Sequence, residues 1–429
     1  MRETLALVRN TPGCTLLLIG NFFITLGSSI VVPYLAVYMT GHQGLAPWVA
    51  GVALTVKLWS QFGLMMVGGA LADRIGAIAA ICLGLCVRVA SFLLLAHATS
   101  APGVIVACGL LGLGSALYIP AGKAAIVALL RDSSASAPVF SLRSAANNAG
   151  LAVGPLVGSV LLLGRPELGL VATAAVFALL VPAFWRLRRL ASHVPVPPRE
   201  GQRSRGHIRR FLSLLRHNRR LLWIAGVATA FGFCYVHIEY AMPVLAADHY
   251  GPAYAGVLFT VNAVSVVVLQ VLVSAPMGKV PHTPVVVAGG LLVMGIGFAL
   301  LGFGSLVLLI TGVVLFSLGE VIIDPRLDSE VAATVDASLR GTAFGLIGVC
   351  IALGGSAANL GSSALAQEGR LGDVYWFALL AVAAVLAILA LALFPRQQTQ
   401  ARRARLRASV TKSPAGDRLQ SAAGGEMAE

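Results

Sequence analysis

Twelve apolar runs, each long enough to cross a bilayer and divided by short polar loops, leave this chain few folds to choose from. A helix needs about 20 apolar residues to span the hydrocarbon core. In the first half the runs lie near residues 14–38, 48–72, 77–97, 102–130, 140–163 and 168–186. In the second half they lie near 221–247, 253–277, 284–303, 305–325, 340–364 and 373–394. Charged residues are only 11% of the 429, too few to cover a water-facing surface of that size. The pattern predicts an all-α membrane protein of twelve transmembrane helices.

The net charge of +14 would suit a nucleic-acid binder if the cations shared one face. They do not. With the N-terminus in the cytoplasm, 26 of the 31 Lys and Arg residues fall in inner loops, the N-terminal segment or the tail. Only Arg165 and Arg370 fall in outer loops, and Lys57, Arg88 and Lys123 fall inside spans. This is the positive-inside distribution. It predicts a multi-pass protein of the plasma (inner) membrane with both termini cytoplasmic and no nucleic-acid partner. The run 14–38 is too long for a signal-peptide core and reads as an uncleaved first span. All six cysteines sit in apolar stretches, with Cys82 and Cys86 four apart, so neither a disulfide framework nor a zinc site is expected.

The charge pattern divides the chain into a first six-helix half (1–186), an Arg-rich cytoplasmic linker (187–220), a second half (221–395) and a polar tail (396–429) expected to be disordered. Ile208, Phe211, Leu212 and Leu215 recur at helical spacing opposite arginines. Two readings stand side by side: an amphipathic helix on anionic lipids of the inner leaflet, or a plain linker obeying the charge rule.

The halves repeat one another. Pro47-x-x-Ala50-Gly51-Val52-x-x-Thr55-Val56 returns as Pro252-x-x-Ala255-Gly256-Val257-x-x-Thr260-Val261. Leu113-Gly114-x5-Pro120 returns as Leu318-Gly319-x5-Pro325, and Ser141-Leu142-Arg143 as Ser338-Leu339-Arg340. Spans 2, 4 and 5 thus overlay spans 8, 10 and 11, the parallel-repeat plan of many secondary transporters.

Two further motifs carry a family resemblance. Gly69-Ala70-Leu71-Ala72-Asp73-Arg74-Ile75-Gly76 resembles the G-x-L-A-D-R-x-G signature of the major facilitator superfamily. Gly150-x-x-x-Gly154-Pro155-x-x-Gly158 is similar to the antiporter motif of its drug:proton exporters, as is the Gly319-Glu320 to Pro325 run followed by Arg340-Gly341. The resemblance implies two pseudo-symmetric six-helix bundles working by alternating access, with protons as coupling ion and no cofactor. It also implies that Gly150, Gly154, Pro155 and Gly158 seal the halves in one state. Asp73, beside Arg74 and between Gly69 and Gly76, would bridge to Arg340 in the outward-facing state and release it in the inward one. The chain departs from the pattern in three places: Ala77-Ile78-Ala79-Ala80 replaces the basic cluster after Gly76, the acid is missing after span 8, and the arginine early in span 4 is absent.

Ionisable residues inside spans cost roughly 2.5–3.5 kcal/mol each at a helix centre, so they point to function or to a partner. Glu239 in span 7, four residues before Pro243 and one turn after Tyr235, suits a proton carrier that titrates as the cavity changes sides, with Tyr235 as a bonding neighbour. Lys57 lies near the membrane centre and Lys123 nearer the inner end of span 4. Either would pair with Glu239 or Glu320 or draw an anionic substrate, although Lys123 is also placed to snorkel. Glu320 reads equally as a cavity group or as part of an inner ion layer with Asp324 and Arg326. Arg88 suits a structural partner in its own half. Asn21, Asn147 and Asn148 read first as interhelical bonds and second as substrate contacts. His237 reads as packed. Phe22, Phe23, Tyr34, Trp59, Phe231 and Tyr235 line a lipophilic pocket or simply pack.

The reading this supports is a monomeric secondary transporter exporting a lipophilic or amphipathic small molecule against protons. A nutrient or metabolite symporter or uniporter is the alternative. A receptor on the same fold or an embedded enzyme is a weaker one, since no H-E-x-x-H or comparable constellation is present.

Overall fold

A computed structural model describes residues 13–129, 136–191, 215–278, 282–335 and 340–395. The expected amphipathic segment apart from Leu215, the tail and both termini lie outside the described residues. The first six helices are α1 (Cys14–His42), α2 (Pro47–Gly63, continued by Met65–Ile75), α3 (Ala77–His97), α4 (Ala101–Leu129), α5 (Ser136–Gly164) and α6 (Pro166–Ala191). The second six are α7 (Arg219–Tyr250), α8 (Ala253–Gly278), α9 (Thr283–Leu301), α10 (Leu306–Thr334), α11 (Arg340–Gln367) and α12 (Asp373–Ala392). Among the described residues eleven helices are long and apolar enough to cross a membrane, and α2, bent by 47° at Leu64, makes twelve. None of these residues forms a strand. Val160, Leu179, Val271, Val307 and Val374 are exposed around the outside, a surface suited to acyl chains and not to water. The helix ends that lead in sequence to the basic segments are called here the basic end.

Several boundaries differ from the expected ones, two of them with consequences for the charges. Helix α5 begins at Ser136 and α10 continues to Thr334, so Arg143 and Arg326, counted with the loops, belong to helices. Pro155 does not interrupt α5, nor Pro325 α10, because membrane helices carry proline where neighbours re-satisfy the backbone.

The duplication is visible in the packing. Helix α3 packs on α4 and α6, and α1 on α5; in the second half α9 packs on α10 and α12, and α7 on α11. The repeated Leu-Gly pair explains one of these contacts. A Cβ at Gly114 would stand 2.9 Å from the Gly84 carbonyl of α3, and one at Gly319 2.6 Å from the Gly290 carbonyl of α9. Each glycine lets the fourth helix of its half approach the third backbone to backbone.

The halves touch chiefly through α2 against α11 and α5 against α8, two contacts that the repeat converts into one another. Most close approaches between halves lie from mid-membrane toward the end opposite the basic loops, although α11 also meets α2 nearer the basic end, where Gly345 stands against Met66. Gly51 faces Ser363 and the Asn359 carbonyl, Gly256 faces Tyr34 and the Pro155 carbonyl, and Trp59 Nε1 donates to Ser356 Oγ at 2.9 Å. Toward the basic end α4 and α10 do not pack together, and Lys123, Asp324 and Asp328 are exposed between them. The central cavity is closed at the opposite end and open at the basic end.

Candidate functional site

Two local irregularities shape the cavity wall. Proline at 243 lacks the N–H that would bond the Glu239 carbonyl, and α7 breaks there into a 3-10 turn, Val236–Ile238, with Glu239 N bonding the Val236 carbonyl at 2.9 Å. In α2, a π-type turn, Trp59–Gly63, begins two residues after Lys57. Such turns re-aim side chains and recur at functional sites.

These irregular stretches bring together the two groups singled out at mid-membrane. Lys57 Nζ donates to Glu239 Oε1 at 2.7 Å, with the side chains 5% and 15% exposed. The pair joins the first half to the second across the cavity floor. Burying a lone ammonium this deeply would be costly, and the facing carboxylate offsets that cost. The second oxygen, Oε2, is buried without a hydrogen-bond partner among the described residues. Tyr235 does not bond Glu239, contrary to expectation. Its ring is stacked with Phe231 (5.5 Å between centroids) and Phe316 (6.2 Å), and it stands within electrostatic reach of Glu320, Glu239 and Asp324.

Glu320 sits one turn deeper than Asp324 on α10. Asn262 of α8 donates to its Oε2 at 3.0 Å and to Ser317 Oγ at 2.9 Å. Sequence reasoning passed over Asn262, whose only signal was an amide inside an apolar span. Lys123 makes no ion pair among the described residues but stands across the opening within electrostatic range of Asp324 and Asp328.

Arg88 has its partner in its own half, and that partner is aromatic. Its guanidinium carbon lies 5.1, 5.6 and 5.7 Å from the ring centres of Phe177, Tyr118 and Phe92, a desolvated cation–π cage. Arg88→Ala is expected to destabilise the half by about 3 kcal/mol through the cavity left behind while leaving cargo affinity unchanged. Thermal unfolding in detergent reads this, and a wild-type melting curve would contradict it.

Asn21 bonds the Arg143 carbonyl at 3.4 Å, and Thr25 bonds Asn147 at 2.7 Å, both ties between α1 and α5. His237 is packed, with Nδ1 against the Phe233 carbonyl at 2.8 Å and Nε2 against Tyr375 Oη at 2.7 Å. A second buried ion pair, unforeseen from the sequence, joins Arg220 of α7 to Glu330 of α10, and Thr283 adds a bond to the same carboxylate at 2.8 Å.

The glycines of the span 5 motif do not form the surface between halves. Cβ atoms at Gly150, Gly154 and Gly158 would strike the backbone of α1 at Phe22 and Leu26, at Leu26, and at Ile30, so this face packs α5 onto α1 within one half. The inter-half seal uses the other side of α5. There Gly256 of α8 faces Tyr34 and the Pro155 carbonyl, which bond each other at 2.8 Å within the first half, and Thr260 Oγ1 of α8 donates to the Ala152 carbonyl at 3.3 Å. Asp73 and Arg74 are exposed at the end of α2, with no ion pair among the described residues. The side chain of Arg340 lies outside those residues. Gly69 merely passes Pro120, whereas Gly76 takes φ +91 where α2 turns into α3, a left-handed value that favours glycine.

Two bundles of six helices, repeated in sequence and packing and enclosing a charged cavity open at one end, define a multi-pass secondary transporter of small molecules. The Major Facilitator Superfamily profile matches residues 17–359 and 241–422, and the chain belongs to that family. It is 30% identical over 367 residues to the multidrug resistance protein MdtH of Salmonella paratyphi B, covering 82% of this chain and 86% of the relative. The Salmonella newport MdtH gives the same figures. Among solved structures, a POT family transporter in complex with 5-aminolevulinic acid superposes with TM-score 0.76 at 17% identity, over 89% of this chain and 95% of that one. The nucleoside transporter NupG superposes with TM-score 0.71 at 13% identity, over 89% and 99%. These structures share the fold. The chain is a carrier, not an enzyme, and among the described residues no group of three or more His, Cys, Asp or Glu is placed to hold a metal.

Proposed function

We propose that this protein is a proton-coupled carrier of a polar, charged small molecule, nearer to a metabolite symporter than to an exporter of lipophilic compounds. The carrying observation is the Lys57–Glu239 pair, which crosses from one half to the other at the closed side of the cavity. With the basic end placed in the cytoplasm by the charge rule, the paired state is inward-facing. Protonation of Glu239 from outside would discharge the pair and free the halves to part there. Return to the inward state would release the proton as Lys57 and Glu239 meet again. A change of charge on one bistable contact is what such a switch requires.

The nature of the cargo follows from the walls. Glu320, Asp324, Asp328 and Lys123 line the route between α4 and α10, and a lipophilic molecule gains nothing from desolvating them. The same fold serves a nucleoside transporter and a POT family transporter. Drug:proton export is the second reading, favoured by the printed name of the MdtH relatives.

The test uses proteoliposomes with an imposed pH gradient and a labelled panel of amino acids, nucleosides, short peptides and lipophilic cations. We expect a polar compound to accumulate when the outside is acid, and Glu320→Gln to weaken its uptake about ten- to a hundredfold, the worth of one charge-assisted bond. Accumulation of lipophilic cations driven by an acid lumen would replace this reading with drug antiport.

A further inference from the structure

The duplication sets two different side chains at one position. The motif shared by α2 and α8 ends at Val56 and Val261, and the next residues are Lys57 and Asn262. Each reaches a carboxylate of the second half. Lys57 Nζ meets Glu239 of α7 at 2.7 Å, and Asn262 Nδ2 donates to Oε2 of Glu320 of α10 at 3.0 Å. The two contacts differ in what they leave behind. An ammonium cancels the charge it meets, whereas a neutral amide bonds a carboxylate and leaves its charge uncompensated. Among the described residues no Lys, Arg or His forms an ion pair with Glu320.

The amide of Asn262 has one orientation open to it. Its Nδ2 also donates to Ser317 Oγ at 2.9 Å, and Ser317 gives its own proton to the Val313 carbonyl at 2.8 Å. Turned over, the amide would set its oxygen against two acceptors. Both Nδ2 protons are therefore committed, and they hold Oε2 of Glu320 in place. The other oxygen, Oε1, bonds nothing among the described residues, and Glu320 is partly exposed. Its neighbours on α10 fix the direction of that exposure. Gly319 and Ile323 face Gly290 of α9, whereas Glu320 is turned to α8. Asp324, one turn on and on the same face, is exposed and within electrostatic range of Lys123 across the opening. That face of α10 fronts the cavity.

We propose that Asn262 is a positioning residue, which fixes the Glu320 carboxylate with its charge uncancelled so that Oε1 takes a cationic group of the cargo. This rests on the reading of the chain as a carrier of a charged molecule. One repeat position then serves the contact between halves as Lys57 and the cargo as Asn262. The choice of cation against neutral amide decides whether the facing acid is neutralised within the protein or kept for a ligand.

Matched probes test it. Binding to the purified full-length protein is measured for tyramine and 6-aminohexanamide, each against its uncharged N-acetyl form. At least one amine is expected to bind about ten- to a hundredfold more tightly than its N-acetyl form, and Glu320→Gln to abolish that advantage. Asn262→Leu, close in shape and without donors, is expected to cut the advantage about tenfold and to leave the N-acetyl form unchanged. In the Glu320→Gln background the same change is expected to cost less than about twofold, because the two residues act through one contact. Asn262→Lys gives α8 the residue that α2 carries, and it is expected to abolish the advantage outright by supplying the counter-ion itself. It also serves if Asn262→Leu fails to fold. Additive losses in the double variant, equal weakening of amine and N-acetyl forms, or an advantage that survives Asn262→Lys overturns the proposal. An advantage lost in Glu320→Gln but intact in Asn262→Leu overturns it yet leaves the carrier reading standing. No amine advantage in the wild type overturns it as well, and if no polar compound of the panel is taken up along the gradient, the carrier reading falls with it.

Discussion

Glu239→Gln is expected to abolish proton-driven accumulation, by at least a hundredfold, while leaving exchange of cargo between equal pools measurable. The variant keeps the shape of the side chain and removes its charge. Lys57, 5% exposed, then stands buried without a counter-ion. Breaking one partner of a buried pair costs about 3–5 kcal/mol, and that cost falls on the state in which the halves meet. The protein should therefore shift toward the state open at the end opposite the basic loops as well as lose its coupling. Ser363→Cys, placed at the seal, reports the shift through labelling by an impermeant maleimide. Lys57→Met in the Glu239→Gln background should restore the closed seal but not the coupling, because it removes the stranded cation without supplying a titrating group. Full proton coupling in Glu239→Gln would move that role to another carboxyl, Glu320 first.

Bulk at the duplicated glycines should have an effect of similar size by a different route. A Cβ at Gly256 would lie 1.8 Å from Tyr34 Oη, and one at Gly51 would lie 2.0 Å from Ser363 Oγ and 2.9 Å from the Asn359 carbonyl. Tyr34 is 2% exposed and its hydroxyl is held by Pro155, so neither contact relaxes by moving a free side-chain end. Gly51→Leu and Gly256→Leu should each hold the carrier open at that end and cut transport at least a hundredfold. Reversing a 99:1 preference takes about 5.5 kcal/mol, within the cost of two helices forced apart. Gly226→Ala and Gly361→Ala, where a Cβ meets nothing within 4 Å, serve as controls and should transport normally. Unchanged labelling and transport in Gly256→Leu would show that the seal yields elsewhere.

These glycines show how far the sequence could be read. Both stood out as members of a repeated motif, yet the repeat said only that the positions were equivalent. Their shared task, to let α2 approach α11 and α8 approach α5, needed the partner helices in place. The span 5 glycines show the opposite error. Their four-residue spacing correctly marks one close-packed helix face, but spacing does not name the neighbour, which is α1 of the same half and not the other half. Arg143 was counted with a loop because a cation near a span end follows the charge rule equally well outside the helix.

What the sequence determined by itself is what local physics settles. Twelve spans follow from apolar length, the division into two alike halves from the repeat, and the high cost of Lys57, Glu239, Glu320 and Arg88 from their position within hydrocarbon-length helices. What only the tertiary structure decided is which of these groups meet. Lys57 and Glu239 are separated by 182 residues, Arg88 answers to three rings and not to an acid, and Asn262 of α8 holds Glu320 of α10. Such pairings arise from how whole helices stack, and helix stacking depends on small residues and bends whose partners lie far away in the chain.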